Sequence, residues 1–269
     1  MTDTRFVQVD AFADRPFTGN PAAVMPLDAW LPDATLQAIA AENNLSETAF
    51  LVATPGGAAD HDLRWFTPAV EVAMCGHATL ASGHVMLGDD PTRDRVTFAT
   101  RKAGILAVSR AGDGYALDLP VWAPAPRAMP DIAAAMGGDP VEALHHDSGY
   151  ALLVYRTAAE IRALAPDFRA LAALGDFLFI ATAPGDDAGD DATDIVSRAF
   201  APGAGVDEDP VTGSAHAVLA PYWAARLGRN RFTAFQASAR GGHLDCTLAG
   251  DRVILRGRCV TVIEGTMRL

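Results

Sequence analysis

Met74-Cys75-Gly76-His77-Ala78-Thr79-Leu80-Ala81 sets a thiol, a glycine and an imidazole directly before a run of small and apolar residues. From Ala78 to Leu87 that run is apolar nearly all round, the pattern of a buried helix. Thr212-Gly213-Ser214-Ala215-His216-Ala217-Val218-Leu219-Ala220 has the same build, and the helix it opens, Ala215 to Leu227, is again mostly apolar. Two further landmarks keep the same order: Phe66-Thr67-Pro68 matches Phe200-Ala201-Pro202, and the stretch from Ala99 to Leu106 matches that from Ala237 to Leu244. The separations of matched residues run from 134 to 138, too steady for unrelated coincidences. The chain therefore reads as α+β, with two pseudo-symmetric halves, each a curled and mainly antiparallel sheet around one central apolar helix. Residues 1–120 would form the first half and 121–269 the second. Between Pro120 and Pro130 four prolines with Ala and Trp favour an extended connector.

Outward from these cassettes, Phe6 to Phe12 alternates apolar and polar positions as a half-buried strand does, and turn residues Phe17 to Pro21 lead to a returning strand at Ala22 to Met25. Asp33 is expected to cap a helix whose Leu36, Ile39 and Ala40 form one apolar stripe. Glu47 stands at the entrance to the apolar strand that ends at Ala53. Two readings of Glu47 are open there: a solvated strand end, or a partly desolvated acid or base. The acidic, glycine-bearing stretch from Pro184 to Thr193 reads as an exposed loop without a catalytic part. Three strands from Arg95 to Leu119 and four from Phe232 to Ile263 would make a meander in each half.

Composition excludes several classes of function. With 269 residues, 50% hydrophobic and 20% charged, the chain has the makeup of a globular protein. A net charge of −12 lacks the positive footprint of nucleic-acid binding. No apolar run reaches a membrane span and the N-terminus does not resemble a secretory signal, so the expectation is a cytoplasmic protein. Cys75, Cys246 and Cys259 lack disulfide or zinc spacing, and Cys246 and Cys259 read as strand packing. No metal is expected.

Each cassette glycine, Gly76 and Gly213, would sit at the start of its buried helix. Such a start offers unpaired N–H groups and the positive end of the helix dipole, so it holds carboxylates well. Two of them across a cleft would hold a small anionic molecule. Without a phosphate loop or nucleophile elbow, the remaining chemistry is acid–base work by some of Glu47, Cys75, His77, Asp209 and Ser214. On the residues alone, His77 also reads as a rim or capping histidine, His84 as a packed one, Asp209 as a turn residue before Pro210, and Ser214 as an N-cap. Arg240 pairs either with an acidic loop or with a substrate carboxylate.

Five motifs in order, Gly19-Asn20-Pro21-Ala22-Ala23-Val24, Asn44-Leu45-Ser46-Glu47-Thr48, Cys75-Gly76-His77-Ala78-Thr79, Glu208 to Ala215 and Gln236 to Gly242, make the chain resemble the phenazine-biosynthesis PhzF-like isomerase family. The resemblance implies the diaminopimelate epimerase fold and a proton shuttled between carbons without a cofactor. By that resemblance Glu47 is the catalytic carboxylate, His77 and Asp209 assist, and Gly76, Gly213 and Ser214 bind substrate. It also suggests a homodimer. Related epimerases use two thiols, one from each half; here neither Thr212 nor Ser214 replaces the partner of Cys75, so a packed thiol is expected. The alternative is a small-molecule or partner-binding module that has lost catalysis. Phenazine formation is not implied, because a fold and family do not fix a substrate.

Overall fold

The structure, a computed structural model, describes residues 3–186, 189 and 192–269. It comprises two compact units, Met1–Leu119 with Arg256–Leu269, and Pro120–Leu255.

In the first unit, β1 (Asp3–Ala11) and β2 (Asn20–Leu27) form an antiparallel hairpin with Val7 opposite Val24 and Ala11 opposite Asn20. Gly19 makes the turn possible: its φ is +64°, and a Cβ there would run into the Ala11 carbonyl. α1 (Asp33–Asn43) is the crossover that lets β3 (Glu47–Ala53) lie parallel to β2. Leu36, Ile39 and Ala40 of this helix pack with Met25, Phe50 and Phe66 in one apolar cluster. β4 (His61–Phe66) returns antiparallel to β3 and also pairs with the short β5 (Glu71–Val72). α2 (Gly76–Asp89) then crosses so that β6 (Arg95–Thr100) is parallel to β4, and β7 (Ile105–Ala111) and β8 (Gly114–Pro120) complete a meander.

α2 is the apolar helix of the first cassette, and it touches β1, β2, β3, β6, β7 and the C-terminal strand Cys259–Arg268. Its two hydroxyl side chains are satisfied by the helix backbone. Thr79 donates to the Cys75 carbonyl at 2.5 Å and Ser82 to the Ala78 carbonyl at 2.7 Å. Gly83 lets the helix approach β7, since a Cβ there would strike Val108.

The second unit repeats this plan. β9 (Ala125–Pro126) pairs with β10 (Glu142–His146), which makes an antiparallel hairpin with β11 (Tyr150–Val154). α3 (Pro130–Met136) precedes that hairpin, and α4 (Ala158–Ala163) with α5 (Phe168–Ala173) forms the crossover to β12 (Leu178–Pro184), parallel to β11. A reciprocal capping box between Thr157 and Glu160 starts α4. β13 (Ile195–Ala201) is antiparallel to β12 and pairs with the short β14 (Val206–Asp209). α6 (Gly213–Leu227) crosses to β15 (Arg231–Gln236), parallel to β13, followed by β16 (Gly242–Ala249) and β17 (Arg252–Gly257).

α6 contains Pro221, which has no N–H to give the carbonyl one turn back. The Ala217 carbonyl accepts instead from the backbone N–H of Trp122, in the proline-rich connector, at 3.0 Å. A defect in the helix ladder thus becomes an anchor for the connector. The duplication reaches single side chains. Arg64 grips Glu71 with two bonds of 2.8 Å and lies 5.0 Å from the Phe66 ring centre; Arg198 grips Glu208 at 2.7 and 2.8 Å and lies 5.0 Å from that of Phe200.

Three expectations are corrected. The C-terminal strand belongs to the first unit, because it pairs with β1 from Asp3 opposite Arg268 to Ala11 opposite Cys259; a cut of the sequence at 120/121 assigns it to the second. Asp33 makes no capping bond: Pro32 occupies the N-cap and the Asp33 carboxylate accepts from Arg64 at 2.8 Å. Ser214 is inside the first turn of α6, whose N-cap is Thr212. Residues 187, 188, 190 and 191 of the expected acidic loop lie outside the described residues.

Candidate active site

In the first unit the chain assembles Glu47, His77, Cys75 and Asn20 around the start of α2. Glu47 is the first residue of β3 and lies opposite Ala22 of β2. Its side chain is only 13% exposed, so the solvated-end reading falls. Glu47 Oε2 lies 3.1 Å from His77 Nε2, within ion-pair range but away from the line of a ring hydrogen bond. His77 is the second residue of α2 and is 2% exposed. Its Nδ1 is 3.0 Å from the amide nitrogen of Asn20 and 3.5 Å from Cys75 Sγ. Asn20, fully buried, thus holds the ring from one side while Glu47 faces it from the other.

Gly76 is the first residue of α2, and the N-cap residue Cys75 makes no side-chain cap. Without a side-chain cap, the positive end of the dipole is left to other partners. The rim reading of His77 falls with its burial. His84, two turns on, binds Tyr115 and Thr261 at 3.1 and 2.8 Å and belongs to the packing.

In the second unit Asp209, Gly213 and Ser214 collect at the start of α6. Asp209 is 7% exposed, and its Oδ2 accepts from the Thr212 hydroxyl at 2.5 Å. Gln236, fully buried at the end of β15, ties this turn down. It donates to the Asp209 carbonyl at 2.7 Å and to Thr212 Oγ1 at 3.0 Å, and its Oε1 accepts from the Thr212 N–H at 2.8 Å. Gly213 opens α6 and Ser214, 6% exposed, follows it, again without a side-chain cap. Arg240 lies beside a shallow depression of about 310 Å³ with Arg162, Phe235 and Ser238.

Asn20 and Gln236 were the residues the sequence reading passed over as site members. A signal existed: each is an uncharged polar residue at the end of a strand whose neighbours are apolar, and a buried amide must find hydrogen-bond partners, here the His77 ring and the turn before α6. Cys246 and Cys259 are strand residues whose thiols burial pushes up from the ordinary range.

A family model described as phenazine biosynthesis-like protein, PhzC-PhzF, matches residues 9–265. The chain belongs to the PhzC-PhzF family. It is 51% identical to an uncharacterized isomerase of Pseudomonas aeruginosa over 264 residues, covering 97% of this chain and 98% of the relative. A crystal structure of a PhzF family protein from Enterococcus faecalis superposes with a TM-score of 0.88 at 40% identity, over 100% of both chains. A predicted epimerase from Pseudomonas aeruginosa shares the fold, with a TM-score of 0.73 at 24% identity over 98% of this chain and 99% of the other. This PhzC-PhzF chain is thus an enzyme of the isomerase class with the α+β, diaminopimelate epimerase-like fold. Among its described residues no helix is long and apolar enough to cross a membrane.

Proposed function

We propose that the enzyme moves a proton between two carbons of a small carboxylate-bearing metabolite, with Glu47 as the group that takes the proton and returns it. The supporting observation is the Glu47 carboxylate, 13% exposed and 3.1 Å from the buried His77 imidazole, at the start of a buried helix in a chain of the isomerase class. A proton shift within one molecule asks for one base that becomes the acid in the second half of the reaction. The C–H bond breaks toward Glu47, its electron pair passes into the conjugated system of the substrate, and the protonated Glu47 delivers the proton at the other carbon. Atoms and charge balance with no oxidant and no cofactor.

In this reading Asn20 fixes the His77 ring, and His77 holds the carboxylate and assists the transfer. Asp209 orients or relays a proton to the polar part of the substrate. The N–H groups at the Gly76 helix start are suited to hold an anionic group, as are those at the Gly213 helix start with the Ser214 hydroxyl. A cytoplasmic homodimer acting on such a metabolite completes the proposal. The test is to incubate the protein with a panel of small carboxylates bearing an acidic C–H in heavy water and follow carbon-bound deuterium by NMR and mass spectrometry. Deuterium entering at carbon of at least one compound supports the proposal, and binding of panel members with no exchange in any of them contradicts it.

A further inference from the structure

Sequence spacing offers no metal site, yet folding brings three different donors together. One ligand atom each from Glu47, Cys75 and His77 lies within 4.8 Å of the other two. They come from the start of β3, the N-cap of α2 and its second residue, all within the first unit. We propose that Glu47, Cys75 and His77 form a site for a thiophilic divalent cation, zinc above all, and that occupancy shuts off the proton chemistry. The inhibition rests on the role proposed for Glu47; the binding does not.

Three features carry the proposal. First, carboxylate, thiolate and imidazole are the ligand types of tetrahedral zinc, with bonds of about 2.0–2.3 Å that set donors roughly 3.3–3.8 Å apart. Glu47 stands 3.1 Å from His77 Nε2 while Cys75 stands 3.5 Å from Nδ1, and with one ligand atom from each residue the three lie within 4.8 Å of one another, so side-chain rotations of about 1 Å must draw the donors in to close the site. Three protein ligands leave a fourth position for water. Second, the charges balance. Two negative ligands neutralise a buried divalent ion: Glu47 supplies one, and Cys75, 4% exposed, supplies the other once its thiol proton has passed to solvent. Third, the ring is already oriented. The Asn20 amide nitrogen stands 3.0 Å from Nδ1 and fixes the ring plane; for a metal at Nε2 that amide turns over so that its carbonyl accepts Nδ1–H. The soft thiolate favours zinc over magnesium or calcium.

A bound ion would take the carboxylate lone pairs needed for proton abstraction. Cys75, which has no part in the proposed proton transfer, would then serve as the sensor of the site. The experiment titrates the intact protein with Co²⁺, following the thiolate-to-cobalt charge-transfer absorption, and then with Zn²⁺ in competition. The expected result is one Co²⁺ per chain with a thiolate band, displaced by Zn²⁺. Cys75→Ser and Cys75→Ala should abolish the band and weaken zinc at least ~10-fold, since even outer-shell partners cost that much. Cys259→Ser should keep both.

On a substrate found by deuterium exchange, Zn²⁺ should inhibit the unmodified enzyme, and Cys75→Ser, scored against its own metal-free rate, should be at least ~10-fold less sensitive. Substoichiometric binding, or a band that survives Cys75→Ser and vanishes in Cys259→Ser, overturns the site. A thiolate band together with full turnover by Glu47→Gln keeps the site and removes the role of Glu47; loss of turnover in Glu47→Gln with no band does the reverse.

Discussion

His216 lies in the first turns of α6, fully buried, with Nδ1 2.9 Å from the Thr212 carbonyl. A carbonyl only accepts, so Nδ1 carries the proton and Nε2 keeps its lone pair, sealed from solvent with no hydrogen-bond partner. Protonating Nε2 would bury a charge and an unsatisfied donor. Burial accordingly pushes the imidazole down from 6.5 to about 4. Between those values the unfolded chain binds a proton that the folded chain refuses, so stability rises with pH across that window and falls as the solution is acidified. From pH 7.5 to 4.5 this one group should cost about 2.5 kcal/mol. The perturbation is His216→Asn, which cannot titrate and keeps an amide donor for Thr212. The assay is urea unfolding of both proteins at the two pH values. His61 and His84, also held low by burial, and Asp60, held at about 2 chiefly through Thr97 and Arg93 against the opposing effect of burial, are common to both proteins and cancel. The variant should be the less stable protein at pH 7.5, and its deficit should shrink by about 2.5 kcal/mol at pH 4.5. A deficit that is constant, or grows toward acid, would refute the reasoning.

Gly83→Ala should destabilise by about 1–2 kcal/mol because its Cβ strikes Val108, although alanine in an unobstructed helix would gain about 1. Adding Val108→Ala should recover about 1 kcal/mol relative to additivity in a double-mutant cycle by chemical unfolding, and a single variant as stable as the parent would contradict the close approach. Gln236→Leu removes three hydrogen bonds and takes the Gln236 acceptor from the buried Thr212 N–H, for an expected loss of about 3 kcal/mol. A loss below about 1 kcal/mol in urea melts would mean that the turn before α6 is held by something else.

The two halves were legible because a buried helix that packs on all sides must be apolar on all sides, and the Ala78–Leu87 and Ala215–Leu227 runs show that directly. Strand partners were not legible. Nothing local in Cys259 to Arg268 says that it crosses back to β1, since pairing between residues more than 240 apart depends on the assembled sheet. Short β5 and β14 escaped because two to four residues carry no period, although they are where Glu71 and Glu208 meet their arginines. Asp33 looked like a cap from its place before a helix, and a buried guanidinium claimed it. Of the site, Glu47 stood out only as a carboxylate ahead of an apolar strand; its meeting with His77 joins residues thirty apart and needed the β2–β3 and α2 packing.

The most direct test of the central claim is Glu47→Gln on whichever compound exchanges in heavy water. Glutamine keeps the shape and the approach to His77 and lacks the base. The account predicts loss of carbon-bound deuterium incorporation and of turnover by about 10²-fold or more, with substrate affinity and the thermal unfolding midpoint near those of the parent. Exchange at the parent rate in Glu47→Gln would show that another group carries the proton.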